Sequence, residues 1–145
     1  MVVKDLLNNK IMGRKDIESQ TNIPLLGVLG HSKLDDNLVV FSKPKSSVSE
    51  AFRALRSNLN FLLKPVESGG QIVLVTSSIG GEGKTFTAIN LASVLALSGK
   101  KTCLVGLDLR KPKIFNDFGL LNDRGVSTLL SNQDDSLRDI IQLSG

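Results

Sequence analysis

Tryptophan and tyrosine are both absent from these 145 residues, cysteine occurs once, and the N-terminus carries no long apolar stretch. Each absence excludes something. Without Trp or Tyr the aromatic bulk comes from six Phe, so a core has to be largely aliphatic. The single Cys103 rules out a disulfide within the chain and fits a reducing compartment. Lying in an apolar run, it is expected to be a small buried core residue. Residues 1–10 lack the apolar length of a signal peptide or membrane span, so the chain as it stands reads as soluble. A span upstream of Met1 is compatible with that. No internal repeat or low-complexity tract is visible. A dominant charge is missing too: 18 basic against 14 acidic residues give +4, spread along the chain. That excess suits phosphate-bearing ligands or an anionic membrane, and equally a solvated surface.

What is present is the profile of a folded segment, 41% hydrophobic and 22% charged. Residues 14–22 read as a short helix with Asp16 and Glu18 early in it, where the helix dipole favours acids. The apolar run 23–30, bounded by Pro24 and Gly30, predicts a short strand. Residues 31–46 read as a connecting segment, with Leu38 to Phe41 its one apolar patch. From Ser47 the pattern changes. Val48, Phe52, Leu55, Leu59 and Leu62 fall on one helical face, Ser47 and Glu50 suggest a capping box, and Pro65 closes the helix.

Residues 71–76 are β-branched and apolar with almost no alternation, as in a parallel strand buried on both faces. Residues 84–97 then predict a helix ending at Gly99, and 101–107 a second buried strand. Strand, helix, strand makes a βαβ unit. Two short helices are expected over 125–131 and 136–143. The fold class is therefore α/β, a P-loop NTPase-like parallel sheet flanked by helices. A third core run is missing, so only the N-terminal part of such a domain is expected. Residues 1–46 form a leader and connecting segment, and 47–145 the N-terminal part of a nucleotide-binding domain.

Between the first strand and its helix lies Ser78-Ile79-Gly80-Gly81-Glu82-Gly83-Lys84-Thr85, close to G-x-x-x-x-G-K-[ST] with Ser78 at the first glycine position. Glycines let backbone amides approach phosphate oxygens, and the helix offers its unpaired N-terminal amides to the same anion. Lys84 places a charge on the β/γ phosphates, and Thr85 is suited to ligating Mg²⁺. The candidate nucleotide-binding residues are Ser78, Gly80, Gly81, Glu82, Gly83, Lys84, Thr85 and Phe86. At the carboxyl end of the second strand stand Asp108 and Arg110, where ligands of open α/β sheets bind. Asp108 is a metal ligand with Thr85, or else the cap of the next turn. Arg110, like Lys111 and Lys113, is either a phosphate contact or a surface charge.

From about Asp16 to Ile141 the sequence resembles the bacterial tyrosine kinases of exopolysaccharide and capsule export, the cytoplasmic domain of polysaccharide co-polymerases. Residues 16–29 look like the family's juxtamembrane leader. Glu50-Ala51-Phe52-Arg53-Ala54-Leu55-Arg56 is similar to its E-x-x-R-x-x-R helix, implicated there in self-association. Taken alone, Glu50, Arg53 and Arg56 read as a solvated face with a local salt bridge. Residues 76–85 match the first nucleotide motif, and Asp108-Leu109-Arg110-Lys111-Pro112 the end of the second. The resemblance implies ATP and Mg²⁺ as cofactors, with Lys84, Asp108 and Arg110 catalytic. It implies a homo-oligomer working with a membrane-embedded co-polymerase portion at the cytoplasmic face of the bacterial inner membrane, and no nucleic acid.

Two departures qualify this. The family's second motif usually reads D-x-D-x-R, and its first carboxylate position is Gly106 here. The third nucleotide motif and the tyrosine-rich tail are also missing, and without a Tyr these residues offer no tyrosine for self-phosphorylation. The expected function is an ATP-dependent protein-tyrosine (auto)kinase domain regulating polysaccharide biosynthesis and export, truncated and inactive as it stands. One alternative is a non-catalytic, ATP-binding assembly module. Another is a partition- or septum-positioning-type ATPase, against which Ile79 counts, since that group carries a signature lysine there.

Overall fold

The computed structural model describes residue 11 and residues 13–32, 36–64, 66–131 and 136–144. Seven helices occur among them: α1 Arg14–Gln20, α2 Val39–Ser42, α3 Ser47–Leu62, α4 Lys84–Leu97, α5 Ile114–Asp117, α6 Val126–Ser131 and α7 Leu137–Ile140.

α3 is amphipathic and starts one residue earlier than its sequence suggests. Its N-cap is Ser46, whose side chain accepts from the Ser49 amide. Ser47 is therefore inside the helix, and the expected Ser47–Glu50 capping box is replaced by a Ser46–Ser49 pair. Phe52 and Leu59 are buried, with Val48 and Leu55 packed beside them. Leu62 is 50% exposed, and Leu63 just past the helix takes the inward position instead. Pro65, expected to end the helix, lies outside the described residues.

α4 runs over the predicted span and closes with Gly99 N–H donating to Ala96 O and Lys100 N–H to Leu95 O. It is apolar almost all round, as a central helix must be. On one side it packs against α3, with Phe52, Leu59, Leu91 and Val94 in a common core. Full burial of a side chain of this size stabilises by about 1.5–3 kcal/mol. The rings of Phe52 and Phe86 meet at 5.7 Å between centroids, tilted by 59°.

α2 was not legible as a helix, and it completes this core through Val39 and Val40. Two buried polar side chains fasten it. Ser49 Oγ bonds the carbonyls of Val39 and Lys43. The Asn90 amide, 0% exposed, accepts from Val40 N–H at 3.0 Å and donates to Asn37 O at 2.7 Å and Phe86 O at 2.9 Å. The segment 23–30 also docks here: Leu26 and Leu29 pack on the core and Asn58 donates to Leu26 O.

The three runs expected as strands, 23–30, 71–76 and 101–107, form no ladder, and no strand occurs among the described residues. A ladder needs a neighbour about 4.8 Å away offering matched backbone groups. Instead the second and third runs, beside α4, line a cleft of about 230 Å³, with Val73, Val75 and Leu104 facing Ala88, Leu91 and Ala92. Their outer side chains are open to solvent, Ile72 94% exposed and Leu74 77%. Cys103 is exposed rather than buried, contrary to its place in an apolar run. No helix among the described residues is long and apolar enough to cross a membrane.

Candidate functional site

The glycine loop hangs between the 71–76 run and α4. Gly81 and Gly83 have φ of +87° and +88°, backbone that L side chains rarely adopt, and Gly83 is the N-cap of α4. Gly80 is not in this region, so the loop turns on the second and third glycines of its motif. A Cβ added at any of the three meets no atom within 4 Å, so the concave side is open. The amides of Lys84, Thr85 and Phe86 precede the first intrahelical bond, in which Thr87 N–H donates to Gly83 O at 2.9 Å. Among the described residues these helix-start amides have no intrahelical partner, and such donors suit an anion.

The side chains of the loop converge on the backbone of one residue, Ile79. Lys84 Nζ donates to Ser77 Oγ at 2.5 Å and to Ile79 O at 2.8 Å. Ser77 Oγ donates to the same carbonyl at 3.0 Å. The N–H of Ile79 donates to Glu82 Oε2 at 3.1 Å. The Ile79 amide, followed by the Ser77 hydroxyl, holds the Glu82 carboxyl below its ordinary range, so it is ionised at neutral pH. Ser77 falls within the 76–85 stretch that resembles the first nucleotide motif, but its contacts with Lys84 and the Ile79 carbonyl, like this role of Glu82, are not legible in the sequence. Thr85 is half-buried, and its hydroxyl makes no hydrogen bond among the described residues, so it is available to a cation. The Phe86 ring points into the core against Phe52, which leaves its backbone to serve the loop.

At the end of the 101–107 run, Asp108 Oδ1 accepts from the amides of Arg110 and Lys111 at 3.2 and 3.1 Å. Asp108 thus closes its own turn, the capping role open to it from sequence, with its second oxygen left over. No hydrogen bond or ion pair joins Asp108 or Arg110 to the loop among the described residues. Gly106 sits under Ile114: a Cβ there would lie 3.2 Å from Ile114 Cδ1.

The α3 trio is engaged within the chain. Arg53 pairs with Glu50 at 2.6 Å and also donates to Pro44 O. Arg56 donates to Val94 O at 3.2 Å, a carbonyl of the last turn of α4, where a cation is favoured.

Residues 73–142 match the family described as the CobQ/CobB/MinD/ParA nucleotide binding domain. The chain is 38% identical to tyrosine-protein kinase YwqD of Bacillus subtilis over 113 residues, 78% of this chain and 46% of that protein. It is 36% identical to tyrosine-protein kinase etk of Escherichia coli K12 over 124 residues, 86% of this chain and 15% of that one. Among solved structures, the chimerical protein CapA2B2 superposes with a TM-score of 0.72 at 39% identity, over 86% of this chain and 52% of that one. The fold is P-loop NTPase-like, and the chain spans less than half the length of these two curated relatives.

Proposed function

From the kinship of this chain with the bacterial tyrosine-protein kinases, we propose that it supplies the phosphate-binding portion of an ATP-dependent protein-tyrosine kinase governing exopolysaccharide or capsule export. The observation that carries this reading is the loop itself. Two glycines at positive φ, an open concave face and unpaired helix amides make a cradle that fits a nucleotide's phosphates. Lys84 belongs to the same loop, its Nζ donating to the Ile79 carbonyl. Bound Mg²⁺ would be held by Thr85 and the second Asp108 oxygen and would offset phosphate charge. The chain's own groups bind and orient. The tyrosine that receives phosphate comes from outside these 145 residues, which contain none. Residues 1–46 serve as the leader, 47–145 carry nucleotide, and self-association through α3, beside a membrane-embedded co-polymerase portion at the cytoplasmic face, completes the assignment.

Gly106 favours a second reading, an ATP-binding assembly module without catalysis. Where the kinases usually place their first acid, this chain has no side chain and the aliphatic end of Ile114 occupies the space. Nucleotide would then control assembly only.

Both readings require binding. Lys84→Ala should weaken Mg²⁺-dependent binding of a fluorescent ATP analogue by on the order of 1.5–3 kcal/mol, the loss of one charge-assisted contact. Absence of binding by the unaltered chain would sink both.

A further inference from the structure

Residue Ile79 is held through both of its backbone polar groups, which belong to successive peptide units. Its carbonyl accepts from Lys84 and Ser77, and its N–H reaches across the turn to Glu82 Oε2. Glu82 lies between Gly81 and Gly83, the two residues whose backbone takes the left-handed conformation. Its bond to Ile79 therefore spans the part of the loop with the least intrinsic conformational preference and the most entropy to lose. The carboxylate is exposed and turned back onto the loop, so it adds no donor for an anion and brings a negative charge close to where phosphates sit. A residue of that sign is a poor ligand for phosphate and a good staple for the backbone around it.

We infer that Glu82 is a positioning residue, which preorganises the phosphate loop by accepting the Ile79 amide and does not itself touch nucleotide. This rests on the nucleotide-binding reading above. Two opposing effects follow from the one side chain. As a hydrogen-bond acceptor it lowers the ordering cost that the ligand meets, and as a charge it repels the ligand. Neutral variants separate them, because Gln retains an acceptor oxygen of the same reach and Ala does not.

The test uses the 145-residue chain, a fluorescent ATP analogue with Mg²⁺, and the variants Glu82→Gln, Glu82→Ala and Lys84→Ala. Amide exchange at Ile79 is followed without nucleotide in each. Glu82→Gln is expected to bind about three- to ten-fold more tightly than Glu82→Ala, the worth of one net hydrogen bond, at identical formal charge. Ile79 exchange should be slow in the unaltered chain and in Glu82→Gln, and fast in Glu82→Ala. Equal affinity of the two Glu82 variants would overturn the inference while leaving nucleotide binding intact, provided Lys84→Ala still weakens it. Loss of binding in the unaltered chain removes the nucleotide reading. The exchange comparison then decides the staple by itself: unchanged Ile79 exchange in Glu82→Ala overturns it, and faster exchange upholds it.

Discussion

Ile114 rests its terminal methyl over Gly106, and this pair decides how an acid returns to that position. A Cβ at 106 stands 3.2 Å from Ile114 Cδ1 and 3.9 Å from Cγ1, so the terminal methyl must give by a few tenths of an ångström. Being the far end of a flexible group it can, by a torsional displacement that costs on the order of 0.5–1.5 kcal/mol at most. Gly106→Asp is therefore expected to destabilise by about 1 kcal/mol. In an Ile114→Ala background the same change should be milder by about 0.5–1 kcal/mol, a coupling read from urea unfolding of all four proteins. Strict additivity would show that the contact is no constraint. At this scale the sequence was legible where residue type alone dictates chemistry. Lys84 and the glycines stand out in a string of letters. Asp108 does not resolve there, because cap and metal ligand are written alike, and only the Arg110 and Lys111 amides on Oδ1 show that the turn has claimed one oxygen.

Among the elements, α3 and α4 announce themselves through period and punctuation, and both lie where the sequence places them to within a residue. α2 does not, for a physical reason. Its four residues are too few to show a helical period, and it exists because Asn90 and Ser49 hold its backbone from neighbouring helices. A polar residue in the middle of apolar α4 was the one available hint. Asn90→Ala strips the partner from the buried Val40 amide and from the Asn37 carbonyl, which belongs to an exposed residue that water can serve. The buried group left unsatisfied costs about 1–3 kcal/mol, so a loss of about 2 kcal/mol in urea unfolding is expected. A loss under 1 kcal/mol would mean that water or a shifted α2 takes over the bonds. The same logic assigns Arg56 a duty within the chain. By capping the Val94 carbonyl it ties the end of α4 to α3, whatever further surface it serves.

For the whole molecule, hydrophobicity located the two runs flanking α4 but not their pairing. Apolar β-branched residues say that a segment wants covering, and a ladder depends on what lies alongside. Here 71–76 and 101–107 line one cleft beside α4 without forming a ladder, with Ile72, Leu74 and Leu107 open to solvent. Unpaired apolar runs of this kind invite association with other copies. Replacing Ile72, 94% exposed, by Lys should reduce self-association in light scattering while shifting stability by no more than about 0.5 kcal/mol. Unchanged scattering would show that this surface is idle. Cys103 lines the same cleft, is exposed, and is the one thiol in the chain. The molecule therefore comes with its own attachment point. A single maleimide finds a single address, on the rim of that cleft, with no residue altered to build it.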